Sequence, residues 1–307
     1  MKRLHPLPTL LTLGNFGCGF SAIVLAARSL ARKTPPRIFS GVELSAEAVY
    51  LYSACAVIFL AMLFDLLDGK VARMTGSACR FGAELDSLAD VVSFGIAPAT
   101  ILVISWIHVE PDSARWWSMV LGFGFIYAAC ACLRLARYNV EADTAAKSTF
   151  RGLPSPAAAG AVVSMYLLIH QPVLNDPLLR LLGEEWLTRV MALHMLGIGL
   201  LMVTRVRYAH LGNRFLGGRK RFTHFVIALF ALGLLIMKPL YVLALAFNGY
   251  VLHGAGFEIA RFLRRHRKQE SRGAGAVPSG QDVGDGSNAS GAAGAGDASD
   301  ADAGRDT

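Results

Sequence analysis

At 307 residues the chain has the length of one or two soluble domains, but 54% of it is hydrophobic and only 17% is charged, against about 25% charged in a soluble domain. The mean hydropathy is +0.45, and the apolar residues fall in blocks long enough to cross a bilayer, which takes about 20 residues per helix. The net charge of +8 sits in short loops between those blocks, a pattern of membrane topology and not of nucleic-acid binding.

In chain order the hydropathy predicts an all-α polytopic bundle of about eight transmembrane helices, at roughly 8–28, 45–66, 84–107, 116–135, 154–173, 187–204, 222–237 and 240–262. The first follows a short basic start and has no small-residue cleavage site before Arg28, so it reads as a retained helix. The seventh and eighth meet at Lys238-Pro239, where proline stops a helix. Bases concentrate in the second, fourth and sixth loops and at both ends, from Lys2 and Arg3 to Arg267 and Lys268. The sixth loop is the richest, from Arg205 to Arg221, and is read as meeting anionic lipid headgroups. The positive-inside rule then places both termini and the even loops in the cytoplasm, although the first loop also holds Arg32, Lys33 and Arg37. Residues 1–265 are expected to form a membrane domain. Residues 266–307 are expected to form a disordered cytoplasmic tail, because Gly, Ala, Ser and Asp cannot bury enough surface to offset the entropy of ordering. Cys18, Cys55, Cys79, Cys130 and Cys132 lie in or beside apolar blocks at spacings that suit no metal-ligand pair, and read as small buried residues.

The second and third spans carry the chemistry. The second ends with Asp65 and Asp68, spaced i, i+3, and the third begins with Asp86 and Asp90, spaced i, i+4; each pair shares one face of its helix. An aspartate facing lipid near the bilayer centre costs at least ~2.5 kcal/mol, so such residues turn inward and serve ions or substrates. The turn from Met74 to Phe81 predicts that the two helices are antiparallel neighbours whose acidic faces converge. Four carboxylates in one pocket need compensating charge, and an oxygen-rich set suits Mg²⁺ or Mn²⁺. Gly69 and Ala72 would let a substrate approach the backbone, Gly82 would let two helices pack closely, and Arg73 offers a planar fork for phosphate.

Read together, Asp65-x-x-Asp68-Gly69-x-x-Ala72-Arg73, eight residues, Gly82-x-x-x-Asp86-x-x-x-Asp90 resembles the full signature of the CDP-alcohol phosphatidyltransferases, with no position missing. Three further stretches resemble the phosphatidylserine synthase branch: 7–20, where Thr9 stands in place of the Asn that often follows the proline; 133–139 with 150–160; and 201–208. The resemblance implies transfer of a phosphatidyl group from CDP-diacylglycerol to an alcohol, with release of CMP and two divalent metal ions as cofactors. By the same resemblance Asp65, Asp68 and Asp86 would be metal ligands, Asp90 would lie near the metals as the base, and Gly69 and Arg73 would contact the CDP part, in a pocket with Ala72 and Gly82. It also implies a homodimer in the cytoplasmic (inner) membrane, with its active site on the cytoplasmic side.

Serine is the expected acceptor; glycerol 3-phosphate, inositol phosphate or choline would use the same chemistry. Arg134 and Arg137, i, i+3 at a helix end, could capture an anionic group or serve only as cytoplasmic anchors. Asn139 could orient a polar substrate or cap a helix, and Ser155, between two prolines, could line the pocket or cap the next helix. An ion-coupled transporter would leave the shared spacing of Gly69, Ala72, Arg73 and Gly82 without a reason, and no inverted repeat is visible. A catalytically dead homologue would not need all four aspartates. For the tail, the expected result is that a chain lacking Ser271 to Thr307 turns over nearly as fast as the full chain. A large loss of rate in a folded truncation would reveal a role for it.

Overall fold

A computed structural model describes residues 6–31, 37–39, 42–77, 79–109, 114–143, 152–170, 177–204 and 238–274. Helix α1 spans Pro6–Ser29. A two-stranded antiparallel hairpin follows in the first loop, β1 (Arg37–Phe39) against β2 (Val42–Leu44), with Ile38 opposite Glu43. Then come α2 (Ala46–Met74), α3 (Arg80–Asp90), a π-helical turn (Val91–Ile96), α4 (Ala97–Val109) and α5 (Ala114–Asp143). The remaining helices are α6 (Ser155–Ile169), α7 (Pro177–Val203), interrupted at Gly183 with φ +73°, and α8 (Pro239–Ala274). Met1–Phe262 is one compact unit and Leu263–Thr307 a second; α8 runs on past the boundary expected at residue 265.

Six of these segments are long and apolar enough to cross a membrane, α3 through α4 acting as one of 30 residues, and α6 is a shorter apolar helix. The protein is a helical, multi-pass membrane protein. Helices stand at seven of the eight expected spans, six of them long and apolar enough to cross a membrane; the seventh expected span, 222–237, lies outside the described residues, as do the basic loop 205–221 and the tail from 275. All five cysteines are free; Cys55 and Cys130 are buried, but Cys132 is exposed, contrary to the expectation for it.

Local chemistry sets the helix ends. Ser45 caps α2, its hydroxyl oxygen accepting from the Ala48 amide at 3.2 Å, which satisfies one of the first-turn donors. Gly76, with φ +61°, turns the chain after α2. Gly152, with φ +93°, sits so close to the Met202 carbonyl oxygen that a Cβ would come within 2.5 Å of it. Between helices, small residues allow close approach: a Cβ on Gly160 would meet the Phe247 ring at 2.3 Å.

The third span carries an internal defect with an evident cause. Pro98 has no N–H to give the carbonyl four residues earlier, that of Phe94, and the π-helical turn lies directly before it. Tyr127 of α5 supplies the missing donor, its hydroxyl bonding the Phe94 oxygen at 2.9 Å. Both side chains are fully buried, where a lost partner cannot be replaced by lipid. Tyr127→Phe is therefore expected to destabilise the protein by about 1–3 kcal/mol, read as a lower thermal midpoint in detergent. An unchanged midpoint would mean the bond adds nothing.

The two acidic spans are neighbours as expected, joined by a short turn, but α2 meets the third span through α4 and the π-helical turn, and α3 itself touches α2 little. α1 packs against both, most extensively against α2.

Candidate active site

The acidic residues nevertheless converge. Asp65 and Asp68, near the end of α2, and Asp86, in α3, each offer one carboxylate oxygen, and these three atoms lie within 4.8 Å of one another. Asp90, at the end of α3, touches Asp65. Asp68 and Asp90 are buried, 4% and 6% exposed. Asp86 Oδ1 is buried without a hydrogen-bond partner, an arrangement that is costly unless something positive meets it. Three close carboxylates, one with an orphaned buried oxygen, fit a hard divalent cation of the Mg²⁺ or Mn²⁺ kind, which takes oxygen donors.

Beside the cluster is a pocket of about 310 Å³. Asp68, Gly69, Ala72 and Arg73 of α2 form one wall, Gly82, Ala83 and Asp86 of α3 another, and Pro8, Thr9 and Thr12 of α1 the third. All four residues expected to meet the nucleotide-lipid thus line one space with two of the aspartates. Nothing would meet a Cβ on Gly69, and one on Gly82 would lie 3.5 Å from Cys79 Sγ alone. Gly82 therefore keeps the pocket wall low and does not bring two helices together, a correction to the packing expected for it.

The four residues expected at an acceptor site divide into two groups. Arg134 of α5 donates to Ser155 Oγ at 2.6 Å, its charge acts on Asp65 and Asp90, and its Nε is buried without a partner. Ser155, fully buried at the start of α6, holds this arginine. Arg137, in contrast, pairs with Glu141 one turn along α5 at 2.8 Å. Asn139 is inside α5, not at its end, and donates to Glu84 at 3.1 Å and Ser87 at 3.1 Å on α3, joining these helices.

Thr12 and Asn15 escaped the sequence reading. Thr12 donates to Asp68 Oδ2 at 2.8 Å, and Asn15 Nδ2 to Asp90 Oδ1 at 3.0 Å. Two polar residues three apart on one face of an apolar stretch of the first helix, within the segment 7–20 that carries the family resemblance, were the available signal. Tyr138, on the pocket wall from α5, lies in the stretch 133–139 but was not singled out there.

Comparison with known proteins agrees with this geometry. The profile of the CDP-alcohol phosphatidyltransferase family matches residues 5–183. The chain is 32% identical over 209 residues to the CDP-diacylglycerol–serine O-phosphatidyltransferase of Helicobacter pylori, covering 68% of this chain and 81% of that one. Proteins of the same name from Methanocaldococcus jannaschii and Saccharomyces cerevisiae are 37% identical over 164 residues and 33% over 183. These two matches cover 53% and 57% of this chain, and 67% and 58% of the relatives.

Proposed function

Since the chain belongs to the CDP-alcohol phosphatidyltransferase family, we propose that it moves the phosphatidyl group of CDP-diacylglycerol to the hydroxyl of L-serine, giving phosphatidylserine and CMP in phospholipid biosynthesis. The observation that carries this reading is the convergence of Asp65, Asp68 and Asp86 beside the pocket that Gly69, Ala72, Arg73 and Gly82 line. The names of the relatives favour serine over glycerol 3-phosphate, inositol phosphate or choline.

Asp65, Asp68 and Asp86, with Asp90 beside them, would hold two divalent ions, Mg²⁺ or Mn²⁺. When bound, these supply positive charge to the diphosphate and its leaving oxygen. Gly69, Ala72 and Gly82 leave room for the nucleotide-lipid, and Arg73 offers its guanidinium to phosphate oxygens. Asp90 accepts the proton of the serine hydroxyl as that oxygen forms its bond to the β-phosphorus. The bond from the β-phosphorus to the bridging oxygen breaks, and CMP leaves with its electron pair. Arg134, fixed by Ser155 and with a free buried Nε, is suited to the serine carboxylate; Arg137 and Asn139 are assigned the outer edge of the acceptor site.

We place the protein in the cytoplasmic (inner) membrane as a homodimer, with the site and both termini on the cytoplasmic side. Residues 1–265 form the catalytic domain and 266–307 a tail. The test is to supply the purified protein with CDP-diacylglycerol and Mn²⁺, offer each alcohol in turn, and measure CMP. Serine should give the highest kcat/KM; a higher value with another alcohol would reassign the acceptor.

A further inference from the structure

The first helix has no part in the steps above beyond lining the pocket, yet it packs against both helices that bear the aspartates. We infer that α1 is the positioning element of the acidic cluster. Thr12 and Asn15, one turn apart on its buried face, each hold one oxygen of one aspartate. The inference rests on the metal-dependent transferase reading of the cluster.

Thr12 is 4% exposed and Asn15 not at all. A helical threonine usually spends its hydroxyl on the carbonyl four residues back. Thr12 Oγ1 has that option, Pro8 O at 3.1 Å, but lies closer to Asp68 Oδ2, at 2.8 Å. Asn15 binds Asp90 Oδ1 through Nδ2, and its own Oδ1 is buried without a partner. This fixes which way the amide points, because turned over it would set one acceptor against another. α1 thus reaches Asp68 on α2 and Asp90 on α3, although those helices touch each other little.

Two further contacts seat α1 firmly. Ser93, in the π-helical turn just after Asp90, donates to the Asn15 carbonyl at 2.9 Å. A Cβ on Gly19 would meet Ser93 Oγ at 2.3 Å, its Cα at 2.7 Å and its nitrogen at 2.9 Å. Thr12, Asn15 and Gly19 lie at i, i+3 and i+7, one stripe along the helix. A carboxylate with both oxygens free rotates about its last bond; pinning one oxygen aims the other. Thr12 therefore sets how Asp68 faces a metal, and Asn15 how Asp90 faces the acceptor's proton. They act through the aspartates as positioning residues.

The experiment uses the full chain in detergent, with Mn²⁺ titrated and the free ion read by electron paramagnetic resonance, and steady-state kinetics measured alongside. Partners of metal-binding groups typically contribute about 10–100-fold in affinity or activity. Thr12→Val keeps the shape and removes the hydroxyl, so its Mn²⁺ affinity should fall about 10-fold or more, while Thr12→Ser should restore it. Asn15→Leu keeps the bulk and removes the N–H; its kcat should fall about 10–100-fold with Mn²⁺ affinity and the KM for CDP-diacylglycerol unchanged. If the leucine variant does not fold, the valine and serine pair decides alone. Wild-type affinity in Thr12→Val, equal losses in Thr12→Val and Thr12→Ser, or an Asn15→Leu defect confined to KM would overturn the inference. A wild-type protein that binds no Mn²⁺ would instead remove the reading on which it rests.

Discussion

Stripping divalent metal from the purified protein is expected to abolish turnover, and adding Mg²⁺ or Mn²⁺ back is expected to restore it. Three carboxylate oxygens within 4.8 Å of one another repel, and the nearby arginine, Arg134, acts on Asp65 and Asp90, leaving Asp86 Oδ1 buried without a partner. A cation is the group that answers this charge. Asp86→Asn should reproduce much of the loss. It removes one of the three charges and replaces one carboxylate oxygen with an amide nitrogen, which donates and does not coordinate a hard cation. Losing a preorganised group that stabilises developing charge costs about 10²–10³ in kcat, and metal affinity should fall with it. Full activity after exhaustive chelation would sink the metal reading.

Asp90→Asn should be nearly as damaging but for another reason. The side chains are almost equal in size, and an asparagine at 90 could still accept from Asn15 Nδ2 through its amide oxygen, so the packing of α1 on the π-helical turn should survive. What disappears is a group able to take the proton of the acceptor hydroxyl. General-base catalysis is worth about 10²–10⁴-fold, and turnover should drop by that amount. Metal and nucleotide-lipid should still bind far better than they do to Asp86→Asn. Titrating Mn²⁺ and CDP-diacylglycerol into both variants separates the roles. Equal loss of metal in the two would make Asp90 a ligand first, and normal turnover in Asp90→Asn would contradict the base role proposed for it.

Much of this site could be read from periodicity, and what could not follows a pattern. Spacing says which residues share a face of one helix, so the Asp65/Asp68 and Asp86/Asp90 faces were legible, as were seven helices. Spacing does not say which helix lies opposite. The expectation that the second and third spans would be neighbours overlooked α1, whose small and polar residues fit against both. The same gap explains Gly82, read as a packing residue when it borders open space, and the bonds by which Asn139 joins α5 to α3. The π-helical turn has a local signal in Pro98, but its remedy, Tyr127, comes from another helix and is set by tertiary packing. The strands Arg37–Phe39 and Val42–Leu44 were hidden by the weak pattern of three-residue strands.

The most direct measurement is a mass balance on the purified protein with CDP-diacylglycerol, labelled serine and Mn²⁺. One CMP and one labelled phosphatidylserine are expected for each CDP-diacylglycerol consumed, all three changes vanishing with chelator. CMP released without labelled lipid, the mark of transfer to water, or no consumption of CDP-diacylglycerol in the presence of serine and metal, would contradict it.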